Sequence, residues 1–182
     1  MPVGFIVLTF GYQIQIMAEK NYILTGEAAA QKMHRMALEL SEELHGDAAP
    51  VVIIGIRNSG TVVAEKIGAL LKKYIPNPIR VISVTMDKSN PTDIALSEKP
   101  DFDQMHVIVA DDVTNSGKAL LYALKPLLDY HPKSIRTLVL VERMHKLYPV
   151  KPDYVGLSVA TTLQEHIQVE VDNGEITGAF VM

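Results

Sequence analysis

Apolar residues along the chain fall into two kinds of pattern. In the first they recur every three or four positions. From Thr25 to Leu44 the residues Ala29, Met33, Met36, Leu40 and Leu44 predict an amphipathic helix whose methionines belong to a core. The spacing predicts a second helix over Thr61 to Tyr74 through Val63, Ile67, Leu70 and Tyr74, and a third over Gly117 to Tyr130 through Leu120, Leu121, Leu124, Leu127 and Leu128. Pro126 is expected to bend the third, because it lacks an N–H and its ring crowds the preceding turn. The second pattern is the short, β-branched run. Strands are expected at about 51–55, 80–85, 106–110, 135–141 and 153–159. Alternation of these strands with helices predicts an α/β fold, a mostly parallel sheet flanked by helices. At the end of the chain two alternating stretches, from Ile167 to Val171 and from Glu175 to Val181, flank Asp172-Asn173-Gly174 and predict a hairpin on an Asn-Gly turn.

A length of 182 residues with no Gly/Pro-rich linker is consistent with a single domain, placed at 18–182. Residues 1–17 are apolar but lack the basic start and small-residue cleavage site of a signal peptide, so they read as an extension, with Met17 an alternative start. There is no cysteine, which excludes disulfide and thiolate chemistry and is compatible with a cytoplasmic setting. No apolar segment reaches membrane-spanning length, and no membrane partner is expected. The net charge of −4 carries no global nucleic-acid signature. The histidines show no zinc-type spacing.

Chemistry concentrates where the run at 106–110 ends. Asp111 and Asp112 stand at its carboxyl end, the place where open α/β sheets bind ligands. Val113, Thr114, Asn115, Ser116, Gly117 and Lys118 follow, a small polar turn entering a helix. Such a turn brings backbone N–H groups close to an anion, and a helix start favours a phosphate there. Two carboxylates beside a phosphate pocket suggest ribose hydroxyls or a divalent cation, and together the features suggest a ribose 5-phosphate. Plain helix capping with Ser116 as the N-cap is the ordinary alternative, and an acidic pair at a strand end also suits a magnesium-binding receiver domain. A second apolar run, Val51–Ile54, passes through Gly55-Ile56-Arg57-Asn58-Ser59-Gly60 into a helix. Its glycines permit a tight turn.

The stretch from Asp111 to Ala119 resembles the phosphoribosyl-diphosphate (PRPP) motif of type I phosphoribosyltransferases: two acids, two or three variable residues, then Thr-Gly-x-Thr. Ser116 keeps the first hydroxyl and Ala119 loses the second. Downstream, Arg143, His145, Pro149, Asp153, Tyr154, Val155 and Gly156 fall in register with the PyrR family of pyrimidine-operon attenuators and uracil phosphoribosyltransferases. The resemblance runs from about Tyr22 to the end of the chain and implies the type I phosphoribosyltransferase fold with a small C-terminal hood. It also implies roles. Asp111 and Asp112 would hold the ribose, and Mg2+ indirectly through ribose or water. Val113 to Lys118 would hold the 5-phosphate. Arg57, Asn58, Ser59 and Gly60 would hold the pyrophosphate, with Lys88 reaching it from a long loop, and the Tyr154-Val155-Gly156 backbone would meet the base.

Two classes of function follow. One is an enzyme that transfers ribose 5-phosphate from PRPP to uracil, giving UMP and pyrophosphate. A purine phosphoribosyltransferase is the alternative, since that family also carries a stretch like Lys151 to Gly156. Purine enzymes place an aspartate and a lysine where this chain has Asn115 and Glu142, which favours a pyrimidine. The other class is a nucleotide-sensing, catalytically weak regulator that binds RNA, with Arg143, His145 and Lys146 as contacts for RNA or an effector. A homodimer or larger homo-oligomer is implied by the resemblance.

Overall fold

The computed structural model describes residues 20–87, 93–160 and 165–182. The expectation for residues 1–17 and the role given to Lys88 lie outside the described residues. Asn21–Thr25 forms β1 and leads directly into α1, Gly26–Glu43. Thr25 caps that helix, its hydroxyl accepting from the Ala28 N–H, which satisfies one of the amides a helix start leaves unpaired. There follow β2 (Val51–Ile56), α2 (Arg57–Leu71), β3 (Ile79–Met86), β4 (Ile94–Leu96), β5 (His106–Thr114) and α3 (Lys118–Ala123). The chain closes with β6 (Ser134–Arg143), β7 (Tyr154–Val159), β8 (Ile167–Asp172) and β9 (Glu175–Val181).

Among the described residues the main sheet has the order β4-β3-β2-β5-β6-β7, parallel except for the antiparallel edge strand β4. Every residue of β2 is buried, as the apolar run requires of a strand covered on both faces. Val51, Ile53, Ile108 and Ala110 join the cluster packed by α1 and α2. Val52, Ile54, Val107 and Val109 join the opposite cluster with Leu120, Leu127 and Phe102. The α/β class expected from the sequence, a mostly parallel sheet flanked by helices, is therefore that found.

Three elements depart from expectation. Helix α2 begins at Arg57, so the turn foreseen at 57–60 is its first helical turn, and Tyr74 lies beyond the helix end, 40% exposed. The third helix stops at Ala123 and is followed by a 3-10 turn at Lys125–Leu127, because Pro126 cannot donate to the carbonyl four residues earlier. Leu128, assigned to its apolar stripe, is 75% exposed. Strand β5 continues past residue 110 to Thr114, pairing Asp111 with Val139 and Thr114 with Glu142.

The hood is a separate antiparallel sheet in the order β1-β9-β8. The expected hairpin is present, and Asn173 and Gly174 both have positive φ (+49° and +75°), as the favoured two-residue turn requires. Unforeseen is the third strand: β1 pairs with β9, Tyr22 opposite Phe180. A Lys66–Glu175 ion pair ties the hairpin to α2.

Candidate active site

The chain leaves β2 for β3 on one side and reaches β5 on the other, so the carboxyl ends of β2 and β5 flank the point where strand order reverses. A crevice is expected there. It holds a cleft of about 570 Å³ whose floor is Arg57, Asn58 and Ser59 after β2 and the run Asp111 to Ala119, which spans the end of β5 and the turn beyond it. The hood supplies the opposite wall: His166, Gln168, Val169 and Met182. Backbone bonds of 3.0 Å in both directions between His166 and Met182 hold that wall together.

Close packing fixes the floor. A Cβ on Gly60 would lie 2.9 Å from Asp111 Oδ1 and 3.1 Å from the Ala110 carbonyl, so only glycine lets the first turn of α2 press on the end of β5. Asp111 is 5% exposed, and its Oδ1 accepts from the Asp112 N–H at 2.9 Å. The buried Asp111 is thus a brace for the half-buried Asp112 as well as a wall residue. Gly117 takes φ +85°, a left-handed conformation that costs an L side chain of order 1 kcal/mol, and it turns the chain from Ser116 into α3. Ser116 Oγ accepts from the Lys118 N–H at 3.3 Å.

Arg57 also has a positive φ (+55°), a strained setting for any residue with a Cβ. Its Nε is buried without a hydrogen-bond partner among the described residues, and so is Asn115 Oδ1. One is a donor and the other an acceptor, and both residues line the cleft. Each unpaired buried group costs about 1–3 kcal/mol, which an anion at Arg57 and an N–H or O–H donor at Asn115 would recover.

Of the residues singled out in the sequence, Arg57, Asn58, Ser59 and Asp111 to Lys118 all line one cleft, with Gly60 packed beneath it. The residues expected at the base stand apart from this lining. Tyr154, Val155 and Gly156 are not among the lining residues. Tyr154 points at α1 and donates its hydroxyl to Glu43. The Val155 carbonyl accepts from Arg35 Nη2 at 2.6 Å, and Gly156 packs on the Leu140 carbonyl. Val155 is level with Asp111 but two strands away, roughly 10 Å by the ordinary strand spacing. Lys146, read as an outward contact, is turned inward: its ammonium donates to the Arg143 and Thr114 carbonyls. Met86, Gln168 and Met182 line the cleft without having been singled out. Nothing local marks them, because β3 and the hood bring them in from distant parts of the chain.

Among the described residues no three metal-ligating side chains cluster. The acidic pair fits magnesium in its usual mode, with one or two carboxylates and the remaining oxygens from water and phosphates.

A family model for the phosphoribosyl transferase domain matches residues 20–173. The chain belongs to the phosphoribosyltransferase family. Within it the kinship is with PyrR: a protein of Macrococcus caseolyticus named bifunctional protein PyrR is 31% identical over 85% of this chain and 93% of its own length. One of the same name from Deinococcus deserti is 31% identical over 85% and 89%. Among solved structures, the hypoxanthine phosphoribosyltransferase of Trypanosoma cruzi superposes with a TM-score of 0.74 over 88% of this chain and 95% of that one, at 16% identity, a likeness of fold. No helix among the described residues is long and apolar enough to cross a membrane.

Proposed function

We propose that this phosphoribosyltransferase transfers ribose 5-phosphate from PRPP to uracil, forming the bond from the base nitrogen to the anomeric carbon as the carbon–oxygen bond to pyrophosphate breaks and the proton of that nitrogen passes to water. The observation that carries the reading is the single cleft that brings Arg57, Asn58 and Ser59 against Asp111, Asp112 and the turn that ends at Lys118. Arg57, with Asn58 and Ser59, takes the pyrophosphate and stabilises its developing charge. Asp111 and Asp112 take the ribose side and favour the positive charge that gathers at the anomeric carbon. The turn from Asn115 to Lys118 takes the 5-phosphate, so the reacting atoms are held at both ends of the donor. Magnesium, when bound, supplies neutralisation of the pyrophosphate charge.

Asn115 supports uracil over a purine, because an amide cannot exchange a proton with a ring nitrogen as an aspartate can. The names of the PyrR relatives point the same way. Glu142 no longer weighs in the choice, since it is buried and paired with Lys146 rather than placed against the base. Chromatography of products from PRPP with uracil or hypoxanthine tests this. The unaltered chain should make UMP, and Asn115→Asp should lose uracil use and gain hypoxanthine use. IMP from the unaltered chain would overturn the reading.

A second reading, nucleotide-dependent RNA binding, is supported by the relatives' designation as bifunctional and by exposed His145 on the loop bordering the phosphate turn. With Lys146 turned inward, that surface is less basic than the sequence suggests. An RNA shift assay with and without UMP tests it. A shift that UMP strengthens supports the second reading, and no shift removes it.

A further inference from the structure

Thr114, Glu142 and Ser158 form one rung across β5, β6 and β7, at the carboxyl ends of the strands. The rung before it, Val113, Val141 and Leu157, is apolar. Ser158 Oγ donates to Glu142 Oε2 at 3.1 Å, and Lys146 Nζ stands 3.3 Å from Glu142 Oε1. The same ammonium donates to the Arg143 carbonyl at 2.6 Å and to the Thr114 carbonyl at 3.3 Å. An ammonium has three protons, and here three oxygens receive them. The Lys146 and Glu142 side chains are only 15% and 11% exposed, and burial pulls the lysine below its ordinary pKa while Glu142 opposes the shift.

The residues that follow continue the contact. The Leu147 and Tyr148 N–H groups both donate to the Ser116 carbonyl at 3.0 Å, and a Cβ on Gly117 would sit 3.3 Å from the carbonyls of Tyr148 and Val150. The segment from Lys146 to Val150 therefore lies against the phosphate turn and grips it by two carbonyls, those of Thr114 and Ser116. A trans peptide is planar, with its C=O and N–H pointing in opposite directions. Fixing those two carbonyls fixes the direction of the Asn115 and Gly117 N–H groups, which belong to the same peptide planes.

We propose that Lys146 is a positioning residue for the phosphate turn: it anchors the end of β5 through the Thr114 carbonyl, is itself held by the buried Glu142 and Ser158, and acts on PRPP binding without touching the base. This rests on the reading of the turn as the 5-phosphate site. It gives Glu142 a task as well, that of counter-ion to the anchor.

Removing Lys146 alone would leave Glu142 buried and unpaired, a change that can unfold a protein by itself. The informative variant is therefore Lys146→Met combined with Glu142→Gln, which keeps the rung neutral. PRPP binding is measured by calorimetry with magnesium present, alongside KM for each substrate and hydrogen exchange at the Asn115–Lys118 amides. The double variant should bind PRPP about tenfold more weakly, with KM for PRPP raised to match, KM for the base unchanged and faster exchange in the turn. Lys146→Arg, which keeps a cation beside Glu142, should recover most of the affinity. Unchanged PRPP affinity with unchanged exchange in the double variant would overturn the proposal. Failure of the unaltered chain to bind PRPP would remove the phosphate-site reading and this inference together. Binding of PRPP without use of uracil would remove only the choice of base.

Discussion

Asp112 stands at the end of β5 with Asp111 holding its backbone, so its carboxylate faces the cleft on a rigid support. Asp112→Asn should lower kcat/KM for PRPP by roughly 10²-fold or more, the usual cost of deleting one preorganised electrostatic contact, while leaving the melting temperature nearly unchanged. Steady-state kinetics with a thermal melt checks both halves. Ala119 lines the same cleft where the family motif has a hydroxyl. Ala119→Thr should tighten PRPP binding by about tenfold, since a hydrogen bond to a charged group is worth about 1.5–3 kcal/mol, and titration of the variant with PRPP measures the gain. Gly117→Ala should destabilise the chain by about 1–2 kcal/mol through its left-handed φ, and weaken PRPP binding with it; denaturant unfolding reads the first effect. These residues were legible in the sequence because one uninterrupted segment carries the acids, the turn and its glycine.

At the scale of elements, α1 is tied to the sheet by a polar knot. Glu43, at its last residue, accepts from Arg136 Nε on β6 at 2.7 Å and from the Tyr154 hydroxyl on β7. The Arg136 guanidinium, aided by the Tyr154 hydroxyl, holds the Glu43 carboxyl below its ordinary range, while burial, with Glu43 beside it, raises Tyr154 well above the ordinary phenol value. A depressed acid adds stability above its unfolded pKa and loses it as pH falls through the folded one. A raised phenol adds stability below its unfolded pKa of about 10 and loses it as pH rises through the folded one. Melting temperature should therefore fall above pH 10, and Tyr154→Phe should flatten that alkaline limb and also weaken the acid one, since the hydroxyl that helps lower Glu43 is lost. A steep alkaline limb in the Phe variant would assign it to other groups. The Asp-Tyr-Val-Gly motif shows that residues belong together and not which way alternation points them, so the tie of Tyr154 to Glu43 was not legible in it. The sequence missed β4 and β1 for a different reason: both are short strands that take their order from a partner, β3 and β9, rather than from a pattern of their own.

For the whole molecule, function depends on two sheets meeting. The main sheet provides the floor at its switch point, and the hood, joined from β1 at one end of the described chain and β9 at the other, provides the wall with His166, Gln168 and Met182. The floor could be read from the sequence because buried parallel strands and the turns that follow them are local patterns. The wall could not, because its residues become neighbours only when the hairpin folds over the cleft. We place the proposed choice of base where floor and wall face each other. Pyrophosphate release from PRPP with magnesium, offered uracil, hypoxanthine, guanine, adenine and orotate in separate reactions, tests the assignment most directly. Release with uracil alone is the predicted result, and release with a purine but not with uracil would contradict it.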